Sequence, residues 1–270
     1  MKIAVVGGTF WDIFIFGENP HSSIIKESPG GSGLNVAYGL FLLGHTVDFY
    51  SNIGDDWRGK QTTEILKKAS FDTSHMFTIQ GGKTGIFIAH NGKPLAVDPG
   101  VNRKEMKLPS LSEYDLVFAT GEISEKTIRK ICENTKNVIL DVGPGARFAT
   151  TDLNALVIGN ECECSFRRCD VVKMGSKGAR WGEVYVPGNG ISYPHSIGLG
   201  DLFDIVFVHH LLLGKSKKEI LEEAVKCSQI LGQKENVTPF ERISFLESFS
   251  AKDDTLECPD ESKDASHHGG

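Results

Sequence analysis

The sequence predicts an α/β protein whose central, mostly parallel sheet is covered by helices. Short apolar runs recur along the chain, and their length and composition are typical of strands that are buried on both faces. These runs are 3–6, 47–50, 116–119, 138–140, 156–158 and 171–174. Helical patterns lie between several of them, for example at 34–43 and 61–68. Alternation of this kind indicates a parallel sheet with helical crossovers.

Two stretches interrupt the alternation, residues 12–28 and residues 77–98. The second contains the turn signal Asn-Gly at 91–92 between two short apolar runs, which predicts a hairpin. Since both stretches lie outside the α/β succession, we expect their strands to be antiparallel and to form one small sheet that covers a site. The sequence 250–270 has few large apolar residues, so the predicted domain is 1–249 and the remainder is expected to be a disordered tail.

Composition and charge exclude several classes of function. Hydrophobic residues make up 40% of the 270 residues and charged residues 24%, as in ordinary globular proteins. The net charge of −6 argues against nucleic acid as a partner, because phosphodiester backbones are bound by clustered Lys and Arg. No apolar run approaches the ~18 residues of a membrane-spanning helix. No membrane segment and no signal peptide are predicted, and we expect a cytoplasmic protein.

The chain has six cysteines, of which Cys162, Cys164 and Cys169 lie close together. These three thiols could supply zinc ligands, but the paired C-x2-C spacing is absent and no histidine lies nearby. A domain of this size also needs no disulfide to stabilise its core. The sequence therefore predicts buried or free thiols.

Glycine is over-represented, because it occupies 30 of the 270 positions, whereas its usual share is ~7%. The first dense motif has the sequence GGSGLNVA at 30–37 and opens an apolar helix. Consecutive glycines leave room for a ligand beside the free N–H groups of a helix start, although a tight strand-to-helix connection would use the same residues. Asn35 favours the ligand, because its amide offers both a donor and an acceptor one turn into the helix.

The second glycine motif, GLGD at 198–201, opens another apolar helix. Its amides and the helix dipole are expected to form an anion site. Asp201 would repel a static phosphate at that site, but it could take a proton from a hydroxyl that attacks one. The alternative is that Asp201 only complements the helix dipole.

The order and spacing of these motifs resemble the PfkB or ribokinase family of carbohydrate kinases, from Met1 to about Phe249. The resemblance rests on Asp12, the first glycine motif, GDDWRG at 54–59, NECE at 160–163, VVKMGSKGA at 171–179 and the second glycine motif. It implies a ribokinase-like three-layer α/β/α sandwich with a small β-sheet lid. It also implies ATP-dependent phosphoryl transfer, with Mg²⁺, to a hydroxyl of a sugar, sugar acid or polyol.

The resemblance further implies roles for individual residues. Asp201 would be the general base, and the amides of Gly198, Leu199 and Gly200 would form the anion hole. The acceptor hydroxyls would be bound by Asp12, Gly30, Gly31 and Asn35.

The family pattern also assigns the nucleotide and the metal. Asn160 and Glu163 would position Mg²⁺ and phosphate, or form an exposed polar turn. Gly175, Ser176 and Gly178 would lie near the phosphates and ribose of ATP, and 231–237 near its adenine. Arg147 would lie beside the phosphates, with a surface arginine as an equal alternative. The lid often pairs between subunits in this family, which implies a homodimer.

Two features depart from the family pattern. His195 stands where the family often has an aspartate, and only residues 164–170 separate Glu163 from Val171, so the usual crossover helix is expected to be missing. Two other functions therefore stay open. One is a nucleoside kinase of the same family, and the other is a protein of this fold that binds nucleotide or sugar without catalysis.

Overall fold

The computed structural model describes residues 1–143 and 153–247, and within these ranges the chain forms thirteen strands and six α-helices. The strands are β1 (Lys2–Val6), β2 (Phe10–Phe16), β3 (Ile24–Gly30), β4 (Thr46–Gly54), β5 (Met76–Ile79), β6 (Gly85–His90), β7 (Lys93–Asp98), β8 (Leu116–Thr120), β9 (Val138–Asp141), β10 (Leu156–Asn160), β11 (Val171–Lys173), β12 (Gly178–Trp181) and β13 (Val184–Pro187). The helices are α1 (Ser32–Leu42), α2 (Trp57–Lys68), α3 (Glu125–Asn134), α4 (Leu199–Leu212), α5 (Lys217–Gly232) and α6 (Pro239–Ser244).

The central sheet has nine strands in the order β13-β12-β11-β10-β9-β8-β1-β4-β5. The pairings from β11 through β5 are parallel, and β12 and β13 extend one edge as an antiparallel hairpin. In the middle of the sheet, Val5 pairs with Phe49 on one side and with Phe118 on the other. The predicted mostly parallel sheet is therefore confirmed.

The two faces of this sheet are covered by different helices. Along β1, Ile3 and Val5 are buried against a cluster that includes residues of α1, α4 and α5. Ala4 and Val6 point the opposite way, into a second cluster that includes residues of α3. Because successive side chains of a strand alternate between faces, one apolar strand serves both cores. The three-layer α/β/α arrangement is thus confirmed.

A second sheet of four strands has the order β3-β2-β6-β7. Its two outer pairings are antiparallel, as predicted, but the central pairing of β2 with β6 is parallel. The prediction for residues 77–98 is also wrong at its beginning, because β5 pairs with β4 of the central sheet. The physical reason is burial, since Met76 of β5 packs into the main core. We call this four-stranded sheet the lid.

The connection between β10 and β11 contains only a 3-10 turn, Glu163–Ser165, so the expected loss of a crossover helix is what the structure has. A disulfide between Cys164 and Cys169 closes this connection, which corrects the prediction of free thiols for these two residues. The chain turns back so tightly that both sulfur atoms lie over Gly159, where a Cβ atom would be 3.1 Å from each of them. Cys132, Cys162 and Cys227 are not part of a disulfide.

The helices begin in two different ways. Helices α2, α3, α5 and α6 start at a side chain that accepts a hydrogen bond from the first turn, a carboxylate in α2 and a hydroxyl in the other three. Helices α1 and α4 start at Gly31 and Gly198, whose φ angles of 94° and 85° favour glycine. None of the helices in the described part of the chain is long and apolar enough to cross a membrane. The two starts without a capping side chain lie at the candidate site.

Candidate active site

A cavity of about 1120 Å³ lies between the lid and the carboxyl ends of the central strands. Asp141, Asn160 and Lys173 end the neighbouring strands β9, β10 and β11, and all three line it. Open parallel sheets place their sites at this edge, because the strand ends and helix starts converge there. From the lid, Asp12 and Phe87 reach the cavity.

Both glycine motifs meet inside this cavity. The side-chain amide of Asn35, in the first turn of α1, donates a 2.7 Å hydrogen bond to Oδ2 of Asp201 in the first turn of α4. The other amide atom, Oδ1 of Asn35, is buried and has no partner among the described residues. The structure therefore brings the predicted base beside a group that can still accept a hydrogen bond from a ligand.

Two further carboxylates flank this pair. Asp12 is almost completely buried, and its Oδ1 atom has no hydrogen-bond partner in the described ranges. Gly30 does not line the cavity but makes room for Asp12, because a Cβ atom there would collide with the Asp12 carboxylate. Glu122, just after β8, accepts a 3.2 Å hydrogen bond from the amide of Gly33. Three acidic side chains thus face one end of the cavity, which we call the acceptor end.

Burial and mutual repulsion change the protonation of these groups. Burial, together with the charges of Glu122 and Asp201, raises the pKa of Asp12 well above its usual value. Burial and the Asp201 charge raise the pKa of Glu122 to about 8. Burial also raises the pKa of Asp201, although hydrogen bonds from Asn35 and Ser32 oppose this effect. A buried carboxylate with a raised pKa is a stronger base toward a hydroxyl proton.

The start of α4 presents backbone donors next to Asp201. The amides of Gly198, Gly200 and Asp201 make no hydrogen bond within the described ranges, so they are available to an anion. The amide of Leu199 differs from the prediction, because it donates a 3.1 Å hydrogen bond to the carbonyl of Ser196. Leu199 still lines the cavity through its other atoms. The amides available to an anion are therefore those of Gly198, Gly200 and Asp201, in place of the predicted Gly198, Leu199 and Gly200.

A buried arginine holds the segment that leads into this loop. Arg242 of α6 donates hydrogen bonds to the carbonyls of Ile197 at 2.7 Å, His195 at 2.8 Å and Lys234 at 3.1 Å. The ring of His195 packs edge-on against Phe16 of the lid, with the ring centres 5.1 Å apart. The residue that replaces the family's aspartate thus contacts the lid.

The predicted metal-positioning pair, Asn160 and Glu163, also lines the cavity. Asn160 and Glu163 each accept a hydrogen bond from the other's backbone amide, at 2.9 and 2.8 Å. Nearby, Oδ1 of Asp141 is buried and has no partner within residues 1–143 and 153–247. Burial, together with the charge of Asp141, raises the pKa of Glu163. The described residues hold no group of three or more His, Cys, Asp or Glu that would bind a metal alone. The donors fit a Mg²⁺ ion that keeps water and phosphate as its main ligands.

The residues predicted for the nucleotide are partly brought together. Gly175, Ser176 and Gly178 line the cavity, whereas Arg147 lies outside the described residues. The segment 231–237 does not line the cavity, because α5 continues to Gly232 and buries Leu231 in the core. Lining residues come instead from earlier in α5 and from the loop before the anion hole. They are Val225, Ser228, Gln229, Asn189, Ile191, Ser192 and Tyr193.

Sequence reasoning missed four charged residues here. Glu122 follows β8, and Asp141 is the last residue of β9. An acidic residue at the carboxyl end of a buried strand is the sequence signal that could have identified both. Lys173 belongs to the motif at 171–179, but no role was predicted for it. Asp204 lies nearly one helical turn after Asp201 in α4, and this spacing is its signal.

Comparisons with known proteins identify the family of the chain. The family model described as pfkB family carbohydrate kinase matches residues 2–142. An uncharacterized sugar kinase of Escherichia coli K12 is 36% identical over 69 residues, covering 26% of this chain and 19% of the relative. A 5-dehydro-2-deoxygluconokinase of Mesomycoplasma hyopneumoniae strain 232 is 33% identical over 66 residues, covering 24% and 20%. The matched segments thus span about a fifth of these relatives.

Solved structures match over most of the chain. Ribokinase from Thermotoga maritima superposes with a TM-score of 0.72 at 19% identity, covering 91% of this chain and 99% of that one. Arabidopsis thaliana ribokinase, solved with ribose and ATP, gives 0.71 at 21% identity, covering 92% and 99%. At these identities the comparison shows the fold, and the ribokinase-like expectation is confirmed.

Proposed function

The chain belongs to the pfkB family of carbohydrate kinases, and on this premise we propose that it transfers a phosphoryl group from ATP to a hydroxyl of a sugar, sugar acid or polyol. The observation that carries the proposal is the contact of Asn35 with Asp201. This hydrogen bond joins the start of α1, which is assigned to the acceptor, to the start of α4, which is assigned to the phosphoryl group. The buried carboxylate of Asp201 lies between the two. A phosphoryl-transfer site needs these parts within reach of one another.

Asp201 acts as the general base in this proposal. As the acceptor oxygen bonds to the γ-phosphorus, its proton passes to the Asp201 carboxylate and the bond between that phosphorus and the ADP oxygen breaks. The amides of Gly198, Gly200 and Asp201 donate to oxygens of the transferred group. Fixed backbone donors stabilise developing negative charge without having to reorient.

The acceptor end supplies partners for several hydroxyl groups. Asp12 and Asn35 each have a buried oxygen without a partner in the described ranges, and an acceptor hydroxyl can donate to either of them. Glu122 adds a third carboxyl whose pKa of about 8 allows both protonation states near neutral pH. Gly31 lines this end and leaves room for the Phe10 ring, since a Cβ atom there would lie 2.7 Å from that ring.

The other end of the cavity is assigned to the nucleotide. Gly175, Ser176 and Gly178 bind its phosphates and ribose, and Asn160 and Glu163 orient phosphate and the water of a Mg²⁺ ion. Bound Mg²⁺ neutralises phosphate charge. The ribokinases of Arabidopsis thaliana and Cryptococcus neoformans, solved with ATP and ADP respectively, support nucleotide use by this fold.

The lid excludes water, which would otherwise compete with the acceptor. Its inner face carries Phe14 and Phe16, against which Ile197 packs from the anion loop. Its outer face pairs Ile15 with Ile25 and Ile13 with Ile88, and Ile25 is 63% exposed. We propose that a second copy of the chain covers this apolar outer face, which makes the protein a homodimer through the lid.

The function is tested with a panel of sugars, sugar acids, inositols and nucleosides, read by ADP release and product mass. We expect ADP release to depend on one class of acceptor, and Asp201→Asn to lower kcat by about 10²–10⁴-fold with folding and ATP binding retained. Asp115→Asn is the control, because Asp115 precedes β8 at the opposite edge of the sheet. Turnover retained by Asp201→Asn would contradict the mechanism.

A nucleoside is the second candidate acceptor. Phe10 and Phe87 line the cavity beneath the lid, and aromatic rings can stack on a nucleobase. A nucleoside kinase from Methanocaldococcus jannaschii also shares the fold, with a TM-score of 0.70. Nucleoside-dependent ADP release in the same panel would select this candidate. Binding without turnover across the whole panel would identify a non-catalytic binding protein.

A further inference from the structure

A buried lysine lies at the floor of the anion loop and has no part in the mechanism above. The ammonium group of Lys173, at the end of β11, donates to Oδ2 of Asp204 at 2.9 Å and to Oδ2 of Asp141 at 3.3 Å. The exposed fractions of these side chains are 12% for Lys173, 0% for Asp204 and 8% for Asp141. The three form a buried ionic cluster that joins the central sheet to α4.

A cluster of this kind is costly as a purely structural device. Moving an ammonium and two carboxylates out of water carries a large desolvation penalty, and packed apolar residues often stabilise a fold as well or better. Burial lowers the pKa of Lys173 but its two carboxylate partners raise it, with a net upward direction, so the group stays charged. The ammonium therefore stays charged beside the loop whose free amides are available to an anion.

The position of the ammonium group identifies that ligand. A Cβ atom on Gly200 would lie 3.5 Å from Nζ of Lys173, so the ammonium is directly beside the anion loop. Lys173 also lines the cavity. An ammonium has three N–H donors, of which the two carboxylates accept two. The third can reach an oxygen held by the amides of the loop.

We propose that Lys173 is a catalytic residue that binds an oxygen of the phosphoryl group being transferred, and that Asp141 and Asp204 are positioning residues that hold its ammonium under Gly200. The proposal rests on the kinase function proposed above. As the acceptor oxygen bonds to phosphorus and the ADP oxygen leaves with the bonding electron pair, Lys173 stabilises the charge on the phosphoryl oxygens and keeps its own proton. Asp201 alone receives the acceptor's proton.

The test separates this role from a structural one with two variants. Lys173→Met leaves two buried carboxylates facing each other, so it is expected to lower both stability and kcat. Adding Asp204→Asn removes one of these charges and is expected to restore most of the stability. If Lys173 contacts the phosphoryl group, kcat of the double variant stays about 10²–10³-fold below wild type, with a small change in the KM of the acceptor.

The matched control is the pair Lys130→Met with Glu105→Gln, which removes a surface ion pair outside the cavity. It should leave kcat unchanged. A stable double variant of Lys173 and Asp204 that turns over at the wild-type rate would overturn the proposal.

Binding measurements distinguish failure of this proposal from failure of the kinase function. Calorimetry measures the affinity of the protein for ADP and for a non-hydrolysable ATP analogue. The analogue differs from ADP by its terminal phosphoryl group. We expect the double variant to lose about tenfold in affinity for the analogue and to keep its affinity for ADP. If wild type phosphorylates no acceptor but this selective loss is seen, the kinase function fails and the Lys173 contact stands. An unchanged ratio of the two affinities would refute the contact, whether or not the protein turns over.

Discussion

Asn35 donates a 2.7 Å hydrogen bond to Asp201 although the two residues are 166 positions apart in the sequence. The bond stabilises the charged form of Asp201 and so lowers its pKa, while burial acts in the opposite direction and prevails. The net result is a raised pKa, so the Asp201 carboxylate accepts a proton more readily than an exposed aspartate does.

Replacing Asn35 by alanine tests this balance. Without the hydrogen bond, the pKa of Asp201 rises further, so a larger fraction of the enzyme is protonated and inactive at acidic pH. We expect kcat/KM to fall by roughly tenfold or more on the acidic side and by less at alkaline pH. The measurement is the pH profile of kcat/KM, with Asn134→Ala, at the exposed end of α3, as control. An equal loss at every pH would show that Asn35 does not tune the base.

Glu122 links stability to pH. Its pKa is 4.5 as a free side chain and about 8 when folded, so folding takes up a proton between these values. Stability that is fully present below pH 4.5 is therefore lost as the pH rises toward 8. Glu122→Gln removes this loss of stability. At pH 8 we expect the variant to be more stable than wild type by about 1–3 kcal/mol.

Urea unfolding at both ends of this range provides the measurement, and Glu133→Gln, on the exposed side of α3, is the control. A gain for Glu122→Gln that is the same at both pH values would exclude the linkage.

Arg242 is expected to be the main anchor of the segment before the anion loop. Arg242→Met leaves three partly buried carbonyl groups without their donor, and we expect the free energy of unfolding to fall by about 3 kcal/mol or more. The exposed Arg180 serves as a control, since Arg180→Met removes none of these bonds. Denaturant unfolding decides the question, and a loss no larger than that of the control would show that the loop is held by other contacts.

The disulfide between Cys164 and Cys169 makes a prediction about the number of free thiols. Cys164→Ser removes one cysteine but releases Cys169, so the thiols titrated in the denatured, non-reduced protein should increase by one. Cys162→Ser, which replaces a free cysteine in the same segment, should lower the number by one. A decrease by one in both variants would show that the pair is not bonded.

The outer face of the lid makes a prediction about oligomeric state. Ile25→Glu places a charge in the apolar surface formed with Ile15, so it should convert a dimer into a monomer. Sedimentation velocity measures the change, and Leu213→Glu, an equally non-polar exposed site after α4, is the control. A wild-type protein that is monomeric at all concentrations would rule out the dimer.

The α/β class, the two helix starts led by glycine and the carboxylate of Asp201 could all be predicted from the sequence. These features depend on local chemistry, because buried strands, helix starts and glycine turns are specified by residues that are close together in the chain. The missing crossover helix was also predictable, since it followed from counting the residues between Glu163 and Val171.

Only the tertiary structure decided which distant groups share the cavity. Glu122 and Lys173 become site residues because β8 and β11 end at the same edge of the sheet, and no local pattern distinguishes them from other polar residues after a strand. The assignment of β5 to the central sheet and the use of the Leu199 amide by Ser196 were likewise settled by packing and hydrogen bonding. Strand order and charge neighbours depend on contacts between residues far apart in the chain, which periodicity does not encode.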